Sequence, residues 1–146
     1  MSKPEPEARE RYLHFQPIPT RWMDNDVYGH VNNVVYYAFF DTVVNQYLIE
    51  QGVLDIEGSR TIGLVVETGC QYFSSVTFPD LVTGALRVAR LGNSSVRYEV
   101  GIFRNEDRLT AARGHFIHVY VDRETRRPVP LPEPLRQALE RLVPPA

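Results

Sequence analysis

Hydrophobic and polar residues repeat with two different periods along this chain, and the change of period separates one long helix from several strands. From Val34 to Gln51 the apolar residues fall near helical spacing and fill almost the whole circumference. The run is rich in β-branched and aromatic residues, which suit strands, but it is too long for one strand. Gly52 follows as a helix stop signal. The pattern therefore predicts a long, central helix.

The segments on either side of this helix show the period of two that is typical of strands. The stretch from Tyr12 to Arg21 contains Pro17 and Pro19, which predicts an edge strand. The stretch from Thr61 to Phe73 alternates and predicts a second strand. The residues expected on one side of that strand are Ile62, Leu64, Val66, Thr68, Cys70 and Tyr72.

The second half of the chain reads as a run of further strands. Residues 82–91 and 95–104 flank a short turn of Gly92, Asn93 and Ser94, which predicts an antiparallel hairpin. Another strand is expected through residues 113–121, so that the strands after the helix form a meander. Apolar residues at helical spacing then predict a short C-terminal helix, and these are Leu135, Leu139 and Leu142. The predicted fold class is α+β, with an antiparallel sheet wrapped around one long central helix.

Length and composition indicate a single domain that associates with itself. The chain has 146 residues, 43% of them hydrophobic, enough for one core. We expect residues 12–146 to form this domain and residues 1–11, which are charged and contain proline, to form a flexible N-terminal tail. One helix covers only part of such a sheet, so we expect a homo-oligomer, either a dimer or a dimer of dimers.

Charge and cysteine content exclude several classes of function. The net charge of −2 and the lack of a basic run argue against nucleic acid as a partner. No long uncharged apolar stretch and no signal-peptide pattern are present, so a membrane protein is not expected. A lone cysteine, Cys70, makes neither an internal disulfide nor a zinc cluster. The predicted location is the cytoplasm.

A dense polar stretch, RWMDNDVYGHVNN from Arg21 to Asn33, leads directly into the central helix. Glycine and asparagine at its end tolerate left-handed backbone and cap helices. Free N–H groups in a first helical turn can stabilise a developing oxyanion. Asp26 lies one loop before that turn, so a carboxylate and amide donors can converge on one carbonyl carbon.

This stretch, with Tyr36 three residues further on, resembles the active-site segment of hotdog-fold acyl-thioester hydrolases of the 4-hydroxybenzoyl-CoA thioesterase family. The likeness extends more loosely from about Tyr12 to Leu142, including an aromatic-turn-Asp pattern at residues 72–80. The resemblance implies a hotdog fold and an acyl-CoA substrate. It implies that Asp26 is the catalytic carboxylate and that the amide of Asn33 binds the thioester oxygen. Coenzyme A is then part of the substrate, with no separate cofactor and no metal.

The resemblance also suggests which residues bind the substrate. Tyr28 and Gly29 belong to the loop, and Tyr28 stands where the D-x-N-x-H pattern of long-chain acyl-carrier thioesterases has Asn. His30 matches the histidine of that pattern and is a candidate catalytic residue, with hydrogen bonding of the loop as the alternative. A carrier-protein thioester therefore remains an alternative to acyl-CoA.

Related enzymes hold the CoA phosphates around a turn that matches Gly92, Asn93 and Ser94. That turn has no charge of its own here, so Arg90 is the nearest basic candidate. The cluster of arginines at residues 123–127 is the other. An arginine fork suits phosphate because it donates two hydrogen bonds at once.

Other roles for these residues stay open. Asp24 and Asp26 could be turn carboxylates, and Asp26 could act as nucleophile or as general base. Asp41 is a carboxylate on the apolar helix, where a related hotdog subfamily places its catalytic acid. We expect it instead to contact the opposing sheet or the loop. The alternative functions are a hydratase or dehydratase of the same fold, with Asp26 and His30 paired for proton transfer, and a non-catalytic acyl-CoA-binding module.

Overall fold

The computed structural model describes residues 3–145, in which a five-stranded antiparallel sheet wraps around one long helix. The strands are β1 (His14–Pro19), β2 (Thr61–Tyr72), β3 (Leu81–Leu91), β4 (Ser95–Arg104) and β5 (Ala112–Asp122). The helices are α1 (Asn33–Glu50) and α2 (Glu133–Glu140). The predicted α+β class is confirmed, including the hairpin of β3 and β4 and the C-terminal helix.

The strands lie in the order β1-β3-β4-β5-β2. Only β3, β4 and β5 form a meander, so the prediction that all strands after the helix do so is wrong for β2. Residues 73–80 connect β2 to β3 and are too many for a tight hairpin turn, which lets the chain cross to the other side of the sheet. As a result, β2 pairs with β5 and forms one edge of the sheet.

A β-bulge interrupts β2 between Val65 and Glu67. The extra residue shifts the alternation by one, so residues on either side of it face opposite ways. Cys70 pairs with a residue on the α1 side of β5, whereas Ile62 and Leu64 pair with residues of the other face. The prediction of one continuous face along β2 is therefore wrong.

Helix α1 supplies much of the core, but only along one side. Its buried residues are Tyr36, Phe39, Phe40, Val43, Val44, Tyr47 and Leu48. The ring of Phe40 packs directly on β5, where a Cβ at Gly114 would overlap it. The opposite side exposes Val34, Ala38 and Asp41 to solvent. The Asp41 carboxylate makes no hydrogen bond or ion pair within residues 3–145, so the contact with the sheet or the loop expected for it is not found. The helix thus carries apolar residues on nearly all sides, as predicted, and Val34 and Ile49 are among those left exposed.

The N-terminal segment is packed on the sheet from Glu7 onward, so the flexible tail expected through Arg11 is shorter than predicted. The Glu7 carboxylate accepts hydrogen bonds from Arg87 and Arg113 at 3.0 Å. Burial opposes ionisation of Glu7, but these two arginines outweigh it and lower its pKa. Residues 1 and 2 of the predicted tail lie outside the described residues.

Helix α2 closes the core at its far end. Leu135 and Leu139 are buried, and Leu142 is buried just beyond the last helical turn. The hydroxyl of Tyr47 in α1 donates to the carbonyl of Ala138 at 2.7 Å, which joins the two helices. Among residues 3–145 no helix has both the length and the apolarity needed to cross a bilayer.

Candidate active site

Asp24 is a structural carboxylate of the loop before α1. It is only 1% exposed and accepts hydrogen bonds from the backbone N–H of Arg21 at 2.7 Å and from its guanidinium at 2.8 Å. Its carbonyl accepts the N–H of Asn32 at 2.9 Å, which draws the two ends of the loop together. With both oxygens engaged and almost no exposure, this carboxylate is not available to a substrate.

Asp26 lies in the same loop with a half-buried carboxylate. One of its oxygens accepts the N–H of Tyr28 at 2.9 Å, and the other accepts the side-chain amide of Asn32 at 3.4 Å. Its own N–H donates to the carbonyl of His30 at 2.9 Å, and its carbonyl accepts the N–H of Gly29. Gly29 has φ +82°, a conformation that side chains other than glycine rarely adopt. These bonds fix the carboxylate close to the start of α1.

The first turn of α1 keeps one free donor. The side-chain oxygen of Asn32 accepts the N–H of Val34, and its carbonyl accepts the N–H of Val35, both at 2.9 Å. The N–H of Asn33 meets no acceptor among the described residues. A free N–H at the positive end of a helix is a suitable donor for a developing oxyanion.

A cavity of about 300 Å³ opens beside this turn. Its lining consists of His30, Val31, Asn33, Tyr36, Tyr72, Phe73, Ser74 and Ser75. Asp26 is not part of the lining but is bonded to Asn32, next to Asn33. Tyr28 is 83% exposed and, like Gly29, lies outside the lining. The structure therefore brings His30 and Asn33 to the cavity and does not bring Tyr28 or Gly29 to it.

The second wall of the cavity comes from the β2–β3 connection, which sequence reasoning did not identify as part of the site. Two hydrogen bonds fasten it to the loop: Val31 N–H donates to Val76 O at 2.7 Å, and Phe78 N–H donates to the Asn25 side chain at 3.1 Å. The one signal for it was the aromatic-turn-Asp pattern at residues 72–80. That pattern gives no indication of which element the segment would contact.

Two tyrosines line the cavity, Tyr36 from α1 and Tyr72 from β2. Tyr72 donates to the carbonyl of Asn33 at 3.3 Å, and its ring lies 5.0 Å from that of Tyr36. Burial raises the pKa of Tyr36 to about 12 and that of the Cys70 thiol to about 11. Burial, together with Cys70, raises the pKa of Tyr72 as well. All three groups are protonated near neutral pH, so Cys70 is a poor nucleophile here.

The turn predicted to hold the CoA phosphates lies at the other end of the sheet. Strand β3 has 11 residues. Its first residue is near the loop at residues 21–33, while Gly92, Asn93 and Ser94 follow its last residue. The two ends are about 30 Å apart. Arg90 is exposed and makes no side-chain hydrogen bond within residues 3–145. Within one chain, this turn and Asp26 are not brought together.

A basic residue that the sequence analysis missed lies at this turn. Arg136 of α2 donates to the carbonyl of Gly92 at 2.8 Å and reaches that of Asn93 at 3.5 Å. The sequence did not indicate this contact, because Arg136 is 44 residues from Gly92. In the described part of the chain no three His, Cys, Asp or Glu side chains cluster as metal ligands.

Comparison with solved structures supports the fold. The PA5185 protein from Pseudomonas aeruginosa strain PAO1 is 58% identical, with a TM-score of 0.94 over 97% of this chain and 99% of that one. The PA2801 protein from Pseudomonas aeruginosa is 34% identical, with a TM-score of 0.81 over 87% and 98%. A 1,4-dihydroxy-2-naphthoyl-CoA thioesterase from Synechocystis has the same fold, with 18% identity and a TM-score of 0.79 over 90% and 98%.

Comparison of sequences identifies the family. The uncharacterised protein YsmA of Bacillus subtilis (strain 168) is 24% identical over 93 residues, which span 64% of this chain and 63% of that protein. Residues 20–139 match the model of the Thioesterase-like superfamily. The hotdog fold inferred from the resemblance agrees with the sheet, the helix and these neighbours. The chain belongs to the Thioesterase-like superfamily, and the predicted enzyme class, a hotdog thioesterase, is confirmed.

Proposed function

We propose that this protein hydrolyses an acyl-CoA thioester to a free acid and CoA, with Asp26 as the catalytic carboxylate and the Asn33 N–H as the oxyanion donor. Family membership supports the reaction class. One observation carries the residue roles: the Asp26 carboxylate is hydrogen-bonded to Asn32, the residue that caps α1 directly before Asn33. The carboxylate and the free helical donor are thus parts of one local unit.

Two chemical routes use this arrangement. In the first, an Asp26 oxygen attacks the thioester carbon, CoA leaves as the thiolate, and water hydrolyses the resulting mixed anhydride. In the second, Asp26 removes a proton from a water molecule that attacks the same carbon. In both, the N–H of Asn33 stabilises the negative charge that develops on the carbonyl oxygen. The thiolate finally takes up a proton, so the products are an acid and a thiol.

A hydratase or dehydratase on the same scaffold receives less support. Such an enzyme would need Asp26 and His30 paired for proton transfer. Within residues 3–145 their side chains make no hydrogen bond, and the contact between these residues is through the backbone. A non-catalytic acyl-CoA-binding module would not require a carboxylate tied to the helix start, whereas this chain has one.

The exposed apolar surface supports a homo-oligomer. Strand β2 forms a free edge with Val65 and Val66 exposed, whereas the other edge strand, β1, contains two prolines that cannot donate to a partner strand. Pairing of β2 with its own copy about a two-fold axis perpendicular to the sheet is antiparallel. The far end of one sheet then lies on the same side as the catalytic loop of the other copy.

This geometry gives the predicted phosphate contacts a role between copies. The turn at residues 92–94 with Arg90 lies about one length of β3, roughly 30 Å, from the loop of its own chain but would approach the loop of a second copy. Arg123, the alternative, already donates to the carbonyls of Ile56 and Glu57. The exposed Arg90 is therefore the preferred contact for the CoA phosphates. A free thiol at Cys70 is in keeping with a cytoplasmic enzyme.

The test is hydrolysis of a panel of acyl-CoA esters, followed as release of free thiol. Asp26→Asn keeps the shape of the side chain but removes the base or nucleophile, so we expect turnover to fall by at least about a hundredfold. Asp41→Asn is the control, because Asp41 is exposed on α1 and should have little effect on turnover. Asp24→Asn is a poorer control, since that carboxylate braces the loop. Near wild-type turnover of Asp26→Asn would show that the assignment is wrong.

A further inference from the structure

Asn32 uses every one of its polar groups in the candidate active site. Its N–H donates to the carbonyl of Asp24, and its carbonyl accepts the N–H of Val35, both at 2.9 Å. Its side-chain oxygen accepts the N–H of Val34 at 2.9 Å, and its side-chain nitrogen donates to Asp26 at 3.4 Å. No other residue of the loop is bonded to both aspartates and to the helix.

The two halves of the side-chain amide do different work. The oxygen is an N-cap, a role that Ser, Thr and Asp perform as well. The nitrogen donates to the Asp26 carboxylate. An Asp side chain has no such N–H donor, and a Ser side chain is too short to reach the carboxylate. Capping alone therefore does not require asparagine at this position, whereas capping combined with donation to Asp26 does.

We infer that Asn32 is a positioning residue for thioester hydrolysis: its amide nitrogen holds the Asp26 carboxylate beside the first turn of α1 while its oxygen caps that turn. The inference rests on the proposed function. By satisfying the amides of Val34 and Val35, Asn32 leaves the N–H of Asn33 as the free donor of the turn. One side chain thus sets the direction of the carboxylate relative to the oxyanion donor.

Substitutions that keep the acceptor of the Asn32 side chain but remove its donor distinguish its positioning role from its capping role. Asn32→Ser and Asn32→Asp keep an acceptor for Val34 but lose the donor to Asp26. Asn32→Ser should melt close to the wild-type temperature, whereas Asn32→Asp should melt lower because its carboxylate lies next to that of Asp26. Asn32→Ala loses the cap as well and should melt about 2–4 °C lower. We expect kcat to fall by about tenfold or more in all three, because misorientation of a reacting group is costly, with a smaller change in KM. Wild-type kcat in Asn32→Ser would overturn the inference.

The pH profile gives a readout that a purely structural residue would not change. Asn32→Asp brings a second carboxylate next to Asp26, and two neighbouring carboxylates ionise less readily than one. The acid limb of kcat/KM should move to higher pH by about one unit in this variant. Asn45→Asp is the control: it makes the same change on α1, but far from the loop. The Asn45 side chain donates to the carbonyl of Asp41. The profile and activity of this control should match the wild type, and an equal shift in both variants would contradict a local effect.

A double substitution distinguishes failure of this inference from failure of the proposed function. If Asn32 acts through Asp26, adding Asn32→Ser to Asp26→Asn should cause no further loss of kcat. Full activity of Asp26→Asn alone would remove the proposed function itself. An inactive Asp26→Asn together with a fully active Asn32→Ser would leave the proposed function intact and overturn only the role of Asn32.

Discussion

Acidification should destabilise this protein through His118, a buried histidine on β5. The side chain is 4% exposed and lies among aromatic rings, with centroids 5.0 Å from Tyr98 and 5.3 Å from Phe116. Its Nε2 has no hydrogen-bond partner among the described residues. Burial without a partner disfavours the charged imidazolium and lowers the pKa of His118 from 6.5 to about 4.

The sign and size of the effect follow from that pKa. The unfolded chain binds a proton at His118 below about pH 6.5, whereas the folded protein does not bind it until about pH 4. The unfolding free energy is therefore not reduced by His118 above pH 6.5, and it falls as the pH falls from 6.5 towards 4. A difference of this size corresponds to about 3 kcal/mol of unfolding free energy.

Urea unfolding between pH 7 and pH 4 measures this loss directly. His118→Gln removes the titrating group, so its unfolding free energy should decrease less over this range than that of the wild type. The carboxylate of Glu7, whose pKa is lowered, loses its stabilising effect only below its ordinary range and does so equally in both proteins. Parallel curves for the two proteins would refute the reasoning, because the wild-type loss would then come from other groups.

Three further substitutions test the core and the phosphate site. The hydroxyls of Tyr98 and Tyr120 are buried and lie 2.6 Å apart. Tyr98→Phe removes this hydrogen bond and should lower the free energy of urea unfolding by about 1–3 kcal/mol. Gly114→Ala forces the Phe40 ring off the sheet and should lower the unfolding free energy by about 1–3 kcal/mol in the same assay. Arg90→Ala should raise KM for acyl-CoA several-fold, about 1 kcal/mol, with nearly unchanged kcat. That effect should fade with added salt and vanish on a short pantetheine thioester, and an equal KM change on the short substrate would contradict a phosphate contact.

Local patterns predicted the elements of this fold because their causes are local. Helix α1 is predicted by apolar spacing, by a cap at Asn32 and by a stop at Gly52, each of which acts within a few residues. The β3–β4 hairpin follows from the short turn between the two strands. The bulge at Val65 in β2 and the pairing of β2 with β5 depend on strands far apart in sequence, and the alternation of β2 gave no indication of either.

The same limit applies to the candidate site. His30 and Asn33 were predictable because one contiguous loop carries them to the cavity. The wall formed by residues 72–75 is distant in sequence, and its place is fixed by bonds such as that from Val31 to Val76. The contact of Arg136 with Gly92 depends on where α2 packs. Residue types indicated the chemistry, whereas tertiary contacts decided which residues share the site.

The attachment of Glu7 to the sheet has a consequence for the order of folding. Its partners Thr110 and Arg113 stand 103 and 106 residues later in the chain, so this segment cannot complete its contacts until those distant residues have been synthesised. The hairpin and meander of β3, β4 and β5 involve nearer neighbours and can form sooner, because closing a short loop costs less entropy. We therefore expect the segment around Glu7, although it precedes these strands in the chain, to dock after them, and hydrogen exchange to report its amides as the earliest to open.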